Sequence, residues 1–105
     1  MSSARQYRSA LMIIQLILEE LIRVGEMGVA KTQLYTALGL KTGVGEKYLE
    51  QLQRAAYVEV NEEAFGKERI RNTVRITKKG LQRFEWFIRI SAELNLKEFS
   101  PKSDI

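Results

Sequence analysis

The sequence predicts one α+β domain that is mostly α-helical. Three observations indicate this class. Each end of the chain carries a densely apolar helical pattern, two shorter helical patterns lie between them, and two strand-like runs follow, joined by a charged loop. The chain has 105 residues, of which 45% are hydrophobic, so it can form one core with little to spare. We therefore expect a single domain over residues 1–105.

The first helix is predicted over residues 5–24 and is apolar on more than one face. Such a helix is buried from two directions. In a domain of this size, we expect the second direction to be a partner subunit. Gly25 and Gly28 supply the backbone freedom that ends the helix, and we expect Val29 to form a β-bridge with the later hairpin. The main apolar stripe is Ile13, Ile14, Ile17, Leu21 and Val24, widened by Leu11, Met12, Leu16 and Leu18.

Two short helices are predicted next, over residues 31–38 and 43–56. Gly39 closes the first, and Thr42 is the expected N-cap of the second because its hydroxyl can accept from a free N–H group. Gly43 and Gly45 are costly in a first turn, at about 1 kcal/mol each relative to alanine. Either this helix starts later, or the missing side chains let its backbone approach something closely.

Residues 57–76 are predicted to form a β-hairpin, because apolar and polar residues alternate in both of its arms. Residues 61–69 are too many for a tight turn, so we expect them to form a flexible loop, or wing. Ile70, Val74 and Ile76 are expected to face inward, and Arg71, Thr73 and Arg75 outward.

A last helix is predicted over residues 78–95, capped by Thr77, and residues 96–105 are expected to form a mobile tail. This helix carries more apolar surface than a domain of this size can cover, which indicates a helix shared between subunits. We therefore expect a homodimer, whose interface comprises Leu11, Met12, Leu16, Leu81, Trp86, Ile88 and Leu94.

The order helix, turn, helix, strand, wing, strand is that of a winged helix-turn-helix, which can dock on a DNA duplex. The charge distribution favours the same partner. Seven basic residues and one acidic residue lie between Lys67 and Arg83, whereas the rest of the chain has 10 basic and 12 acidic residues. The positive excess thus lies in the wing and at the start of the last helix.

The residues expected to contact double-stranded DNA lie on the two short helices, the wing and the strand behind it. Lys47 and Gln51 could donate to base edges, and Thr42 could reach a phosphate or a thymine methyl. Lys67 and Arg69 could enter a neighbouring minor groove or contact its phosphates, and the other residues could contact backbone phosphates. Glu46 and Glu50 could accept from a cytosine amino group or pair with Lys47 or Arg54. The full predicted set is Lys31, Thr32, Lys41, Thr42, Lys47, Gln51, Arg54, Lys67, Arg69, Arg71 and Arg75.

Composition excludes most catalytic chemistry. The chain has no Cys and no His, so it can form no disulfide, thiolate nucleophile, imidazole base or Cys or His zinc site. Its acidic residues are scattered, so we expect neither an enzyme nor a cofactor. The apolar run of the first helix is interrupted by Gln15 and is far shorter than the roughly 20 residues of a membrane span. We expect a soluble, cytoplasmic protein without a membrane partner.

Two strings resemble signatures of small prokaryotic winged-helix regulators. They are KYLEQLQRAAYVEV (residues 47–60) and RITKKGLQRFEWF (residues 75–87). In that family a recognition helix leads into a "YLxxLxxxGxIxx" strand, and an "xxTxKG" cap begins a dimerising helix. The resemblance covers about two thirds of the chain. Within this family, the chain is most similar to short archaeal winged-helix DNA-binding proteins. Ala56 stands where the family often has Gly, and we expect this difference to be harmless.

The residues and the resemblance together predict a homodimeric, sequence-specific transcriptional regulator that binds double-stranded DNA. Two alternatives remain open. One is an architectural or chromatin-type protein of the same fold with little sequence preference, and the other is a winged helix used for protein–protein contacts. A small-molecule effector could bind an apolar dimer cleft lined by Tyr35, Phe84 and Trp86.

Overall fold

The computed structural model describes residues 9–64 and 66–96 and forms four α-helices and a three-stranded antiparallel sheet. The predicted class, α+β and mostly α, is confirmed. The sheet has the order β1-β3-β2, so β3 is its central strand. The elements are α1 (Ala10–Val24), a single 3₁₀ turn (Gly25–Met27), β1 (Val29–Ala30), α2 (Lys31–Leu38), α3 (Thr42–Arg54), β2 (Val58–Ala64), β3 (Ile70–Ile76) and α4 (Lys78–Leu94).

Helix α1 begins at Ala10 rather than at residue 5. Ser9 has an extended backbone, and its hydroxyl accepts from the N–H of Met12 at 3.1 Å. This cap satisfies one of the free N–H groups of the first turn and so fixes the start of the helix. Residues 5–8 of the expected helix lie outside the described residues. At the other end, Gly25 takes a φ of 67° and its N–H donates to the carbonyl of Leu21.

The core lies between α1, α2, α3 and one face of the sheet. Its fully buried apolar side chains are 0–1% exposed, and each stabilises the fold by roughly 1.5–3 kcal/mol. Phe84 of α4 packs against the edge of this cluster. The centre of the core comprises Ile17, Leu21, Leu34, Leu49 and Val74.

The alternation predicted for β3 is wrong at two positions. Thr73, expected to face outward, is fully buried, because β3 is the central strand and Thr73 pairs with both Ala30 and Asn61. Its methyl group also lies against Gly28. Ile70, expected to face inward, is 69% exposed. It lies at the far end of the hairpin, beyond the reach of the core.

The wing is shorter than expected. Strand β2 continues through Ala64, and seven residue pairs join it to β3, from Val58 with Ile76 to Ala64 with Ile70. Residues 61–64, predicted as loop, therefore belong to a paired strand. Val29 pairs with Val74 as part of the two-residue strand β1. The sheet thus extends further toward the wing than the sequence indicates.

Helix α3 ends at Arg54, two residues before its predicted end at 56. Ala56 has a φ of 66°, and the N–H of Tyr57 donates to the carbonyl of Leu52 at 2.9 Å. An alanine in this left-handed conformation costs roughly 1–2 kcal/mol, a penalty that glycine avoids. The expectation that Ala56 is harmless is therefore wrong.

Helix α4 begins as predicted at Lys78, because the Thr77 hydroxyl accepts from the N–H of Gly80 at 3.0 Å. Asn95, predicted as its last residue, is instead a left-handed cap with a φ of 59°. The N–H of Leu96 donates to the carbonyl of Ser91 at 2.8 Å, so the first residue of the predicted tail is held to the helix. Residues 97–105 lie outside the described residues. In the part of the chain that the structure describes, no helix is long and apolar enough to cross a membrane.

Candidate nucleic-acid interface

Helices α2 and α3 form the helix-turn-helix. Gly39 ends α2 in the left-handed conformation, with a φ of 67°, and the N–H of Leu40 donates to the carbonyl of Tyr35 at 2.9 Å. Lys41 is the N-cap residue of α3, and its side chain makes no capping hydrogen bond. Thr42, predicted as that N-cap, is instead the first helical residue. Its side chain is exposed, as is that of Lys41.

Gly45 lies directly over the buried ring of Tyr35. A Cβ atom at position 45 would lie 2.5 Å from Cε1 and 2.9 Å from Cγ of this ring, far too close for any side chain. A Cβ atom at position 43 would have no neighbouring atom within 4 Å. The helix therefore does start at its glycines. At Gly45, the missing side chain allows a close approach between α2 and α3.

Glu46 joins α3 to α2 through two contacts. The hydroxyl of Tyr35 donates to its Oε2 at 2.8 Å, and Nζ of Lys31 donates to its Oε1 at 3.1 Å. The hydrogen bond from Tyr35, followed by that from Lys31, lowers the pKa of Glu46. Burial, and then the hydrogen bond to Glu46, raises the pKa of Tyr35. Lys31, predicted to contact a phosphate, is thus held by a carboxylate of α3.

The outward face of α3 holds Lys47, Glu50 and Arg54, all exposed. Arg54 forms a salt bridge of 2.7 Å with Glu50, which is one of the pairings that the i, i+4 spacing allows. Nζ of Lys47 lies 5.3 Å from the centre of the Tyr48 ring. Gln51, also exposed, lies at the edge of this face and lines a groove beside α4. Lys47 is therefore the charged residue of this face that is not in a salt bridge among the described residues.

Lys67 and Arg69 lie in the loop between β2 and β3, and both are exposed. Between them Glu68 has a φ of 57°. Arg71, on β3, is half-buried, and its Nε donates to the hydroxyl of Thr73 at 3.3 Å. The basic side chains near the loop thus become less available to an external partner from its tip toward the core.

Arg75 is bound by the protein itself. Its Nη1 donates to Glu63 at 2.6 Å, and its Nε donates to the carbonyl of Glu26 at 2.7 Å. Its Nη2 makes longer contacts, of 3.2 Å to Glu63 and 3.3 Å to the carbonyl of Met27. The guanidinium lowers the pKa of Glu63. Arg75, predicted to contact DNA, therefore links β2 and β3 to the turn that follows α1.

The residues predicted for the dimer interface do not share one surface. At about 3.6 residues per turn, Trp86 and Leu94 lie on one side of α4, and Leu81 and Ile88 lie on another. Trp86 and Leu94 are 64% and 63% exposed, whereas Ile88 is half-buried. On α1, Leu11 is 49% exposed, and Met12 and Leu16 are half-buried.

A groove of about 400 Å³ lies between α1 and α4 and reaches the end of α3. Of the three residues expected to line an apolar dimer cleft, Phe84 and Trp86 line this groove and Tyr35 does not. Tyr35 instead packs beneath α3, because Gly45 leaves room for its ring. Among the described residues, no group of three or more His, Cys, Asp or Glu side chains could hold a metal ion.

Sequence reasoning missed three pairings in this region: Tyr35 with Glu46, Lys31 with Glu46, and Arg75 with Glu63. Tyr35 was expected to line an apolar dimer cleft, not to pair with a carboxylate of α3. A signal for its role was present in Gly45, because a glycine in a first turn has a cost that a close contact can explain. The partnership of Glu63 depends on strand register, which the predicted loop over residues 61–69 concealed.

Several solved structures are similar to this chain in fold at low sequence identity. A mutant of MepR from S. aureus, bound to an oligodeoxyribonucleotide, shares 21% identity and a TM-score of 0.65 over 87% of this chain. PcaV, a transcriptional regulator from Streptomyces coelicolor in complex with its natural ligand, shares 21% identity and a TM-score of 0.64 over 86%. A transcriptional regulator homologue from Pyrococcus horikoshii shares 21% identity and a TM-score of 0.62 over 82%.

This chain spans 65% of the MepR chain, 61% of the PcaV chain and 79% of the Pyrococcus horikoshii chain. Neither a protein-family model nor a curated protein sequence matches it. At such low identity the likeness extends to the fold and no further. It confirms the winged helix-turn-helix, whereas the particular similarity to archaeal proteins stays a prediction.

Proposed function

We propose that this protein is a homodimeric transcriptional regulator that binds specific sequences of double-stranded DNA. The observation that carries the proposal is the placement of exposed basic side chains on both parts of the fold that can reach a duplex. Lys47 lies on the outward face of α3, and Lys67 and Arg69 lie on the wing. The bound oligodeoxyribonucleotide of the structurally similar MepR mutant supports the same class of partner.

Helix α3 is the element proposed to enter the major groove. Lys47 could donate to guanine and Gln51 to adenine, while Thr42 at the exposed start of the helix could contact a phosphate or a thymine methyl. The exposed Lys41 and Thr32 would contact the backbone on either side of the turn. Arg54 would have to leave Glu50 to reach a phosphate. Their salt bridge is exposed, so its loss costs little.

The wing is proposed to supply electrostatic affinity through Lys67 and Arg69, with Arg71 as a weaker contributor. Arg75 is left out of the proposed contacts, because Glu63 and two backbone carbonyls already hold its guanidinium. Lys31 is retained, on the condition that a phosphate replaces its exposed partner Glu46. A two-fold dimer would place two copies of α3 on half-sites about one helical turn, roughly 34–36 Å, apart.

Titration of a short duplex at several salt concentrations tests the proposal. Each phosphate contact releases condensed counterions, so the logarithm of the binding constant should fall linearly with the logarithm of the salt concentration. Replacing Lys67 and Arg69 together by alanine should reduce the slope by about 2, at roughly one unit per lost contact. Arg23→Ala is the matched control, because Arg23 is exposed on α1 and pairs with Glu20. Affinity that is independent of salt would contradict the proposal.

The architectural alternative has one observation in its favour. On the outward face of α3, Glu50 and Arg54 form a salt bridge with each other. Lys47 and Gln51 are then the side chains best placed to contact bases. Selection of bound duplexes from a random pool separates the two functions. A consensus supports the regulator, whereas tight binding without a consensus supports the architectural protein. No binding to any duplex at low salt would leave protein–protein contacts as the function.

A further inference from the structure

One side of α4 carries four residues at spacings of three, four and three. They are Arg83, Trp86, Ile90 and Glu93, and we call them the α4 seam. This alternation places side chains along a single line of a helix, as in the a and d positions of a coiled coil. At about 3.6 residues per turn, the seam lies on a different side of α4 from Gly80 and Ser91, which are buried.

The α4 seam is unusual for a solvent-facing surface because its centre is apolar and its ends are oppositely charged. Trp86 is 64% exposed and Ile90 is 45% exposed. Arg83 and Glu93 are also exposed, and within residues 9–64 and 66–96 neither forms a salt bridge. A monomer would therefore leave a tryptophan and an isoleucine in water between two unpaired charges.

We infer that the α4 seam pairs with the same seam of a second copy, with the two helices antiparallel. In a two-fold interface, residue i contacts residue j of the other copy, and j contacts i. An antiparallel pair centred on position 88 sets Trp86 against the partner's Ile90. The same alignment sets Arg83 against the partner's Glu93. One register thus satisfies both the apolar centre and the charged ends.

A parallel orientation of the two helices does not give these favourable pairings. A parallel pair in register would set Arg83 beside the partner's Arg83 and Glu93 beside the partner's Glu93, and like charges across an interface are repelled. Antiparallel pairing also covers the groove between α1 and α4, since Arg83, Trp86 and Ile90 all line it. Charge complementarity therefore selects both the partner, a second copy, and its direction.

This inference rests on the proposed homodimer and specifies its interface. It differs from the interface expected from the sequence in using Arg83, Ile90 and Glu93 and in omitting Leu81 and Ile88. Those two residues lie on a different side of α4 from Trp86 at about 3.6 residues per turn. Leu94 borders the seam and is 63% exposed, so it would contact the partner at the edge of the pair.

Cysteine cross-linking gives a direct test, because the chain contains no Cys of its own. Arg83→Cys and Glu93→Cys are prepared separately, refolded together or alone, and oxidised. Antiparallel pairing predicts a disulfide-linked dimer from the mixture and almost none from either variant alone. Within one chain the two positions are about 15 Å apart along the helix, too far for a disulfide. Cross-linking of either variant alone, or none in the mixture, would overturn the inference.

Charge reversal provides a second test that does not depend on disulfide geometry. Arg83→Glu should weaken dimerisation at least about tenfold in sedimentation, and adding Glu93→Arg to the same chain should restore it. Lys78→Glu is the matched control, because it changes the charge equally at an exposed position off the seam. Failure of the double variant to recover would contradict the pairing.

The outcomes also separate this inference from the proposed function. A stable dimer that binds DNA but does not cross-link in the mixture overturns the seam pairing and leaves the proposed regulator intact. A cross-linked mixture that binds no duplex supports the pairing and contradicts DNA binding. A monomer at high protein concentration overturns both the pairing and the homodimer.

Discussion

The ring of Tyr35 occupies the space that a side chain at Gly45 would need, with Cε1 2.5 Å from the position of its Cβ. Because this ring is only 4% exposed, it has little room to move. The contact sets how closely α3 approaches α2. It also brings the Tyr35 hydroxyl within 2.8 Å of Glu46.

Gly45→Ala should therefore destabilise the protein by about 1–3 kcal/mol, the usual cost of overpacking. Gly43→Ala is the matched control on the same turn, since nothing lies within 4 Å of its added methyl group. There, alanine should stabilise the helix by up to about 1 kcal/mol through its higher helix propensity. Urea unfolding measures both changes. Equal effects at the two positions would show that the Tyr35 contact does not constrain α3.

Glu46→Gln should change how stability depends on pH. The pKa of Glu46 is lowered in the folded protein, so its carboxylate stabilises the fold above its unfolded pKa, about 4.3. That contribution disappears as the pH falls through the lower, folded pKa. The variant should therefore be less stable than the parent at pH 7, and the difference should shrink at acidic pH. Because Glu46 is exposed, we expect the effect to be small.

Urea unfolding midpoints measured near pH 7 and pH 3 test whether the stability difference between parent and variant shrinks on acidification. Glu50→Gln serves as the control, because it removes the same charge from the same helix and breaks an exposed salt bridge with Arg54. A difference between parent and Glu46→Gln that grows on acidification would contradict the assignment of Glu46 as a link between α2 and α3.

Arg75→Ala should lower stability by about 1–3 kcal/mol, because it removes hydrogen bonds from a charged donor to Glu63 and to the carbonyl of Glu26. Arg75→Lys should recover only part of this loss, because an ammonium lacks the planar fork of a guanidinium. Arg69→Ala, on the exposed loop, should leave stability within about 0.5 kcal/mol of the parent. Thermal unfolding compares the three, and an Arg75 variant as stable as the Arg69 variant would refute the role.

Ala56→Gly should stabilise the protein by up to about 1 kcal/mol, because the relief of roughly 1–2 kcal/mol of backbone strain is partly offset by the greater entropy that glycine loses on folding. Ala56 has a φ of 66°, where an L side chain is strained and glycine is not. Ala37→Gly is the control, because Ala37 is exposed within α2 and should lose about 1 kcal/mol. Chemical unfolding of both variants distinguishes a position that favours glycine from one that does not.

Elements governed by local sequence were the most predictable. Helix α2 occupies the same residues as its apolar pattern, because Leu34 and Tyr35 set its inner face and Gly39 its end. The cap of α4 at Thr77 was likewise evident from its hydroxyl. By contrast, Thr73 could not be placed by alternation alone. Whether a strand is central or at an edge depends on β1, which lies over 40 residues away in the sequence.

In the candidate site, too, features set by local sequence could be predicted and features set by distant packing could not. Exposure of Lys47, Lys67 and Arg69 follows from their positions on outward faces and in a loop. The partners of Lys31 and Arg75 do not, because Glu46 is 15 residues from Lys31 and the carbonyl of Glu26 is 49 residues from Arg75. Their availability depends on how distant elements pack, which no local pattern records.

The seven residue pairs between β2 and β3 affect how much backbone entropy the chain would lose on binding a duplex. Had residues 61–64 been free loop, binding would have had to restrict them, at roughly 1–2 kcal/mol of backbone entropy per residue. Because folding has already fixed them in β2, that entropy is lost before any encounter with DNA. Lys67 and Arg69 lie in the loop that joins these two paired strands. In the proposed complex, less of the binding free energy would therefore be needed to order the residues that precede this loop.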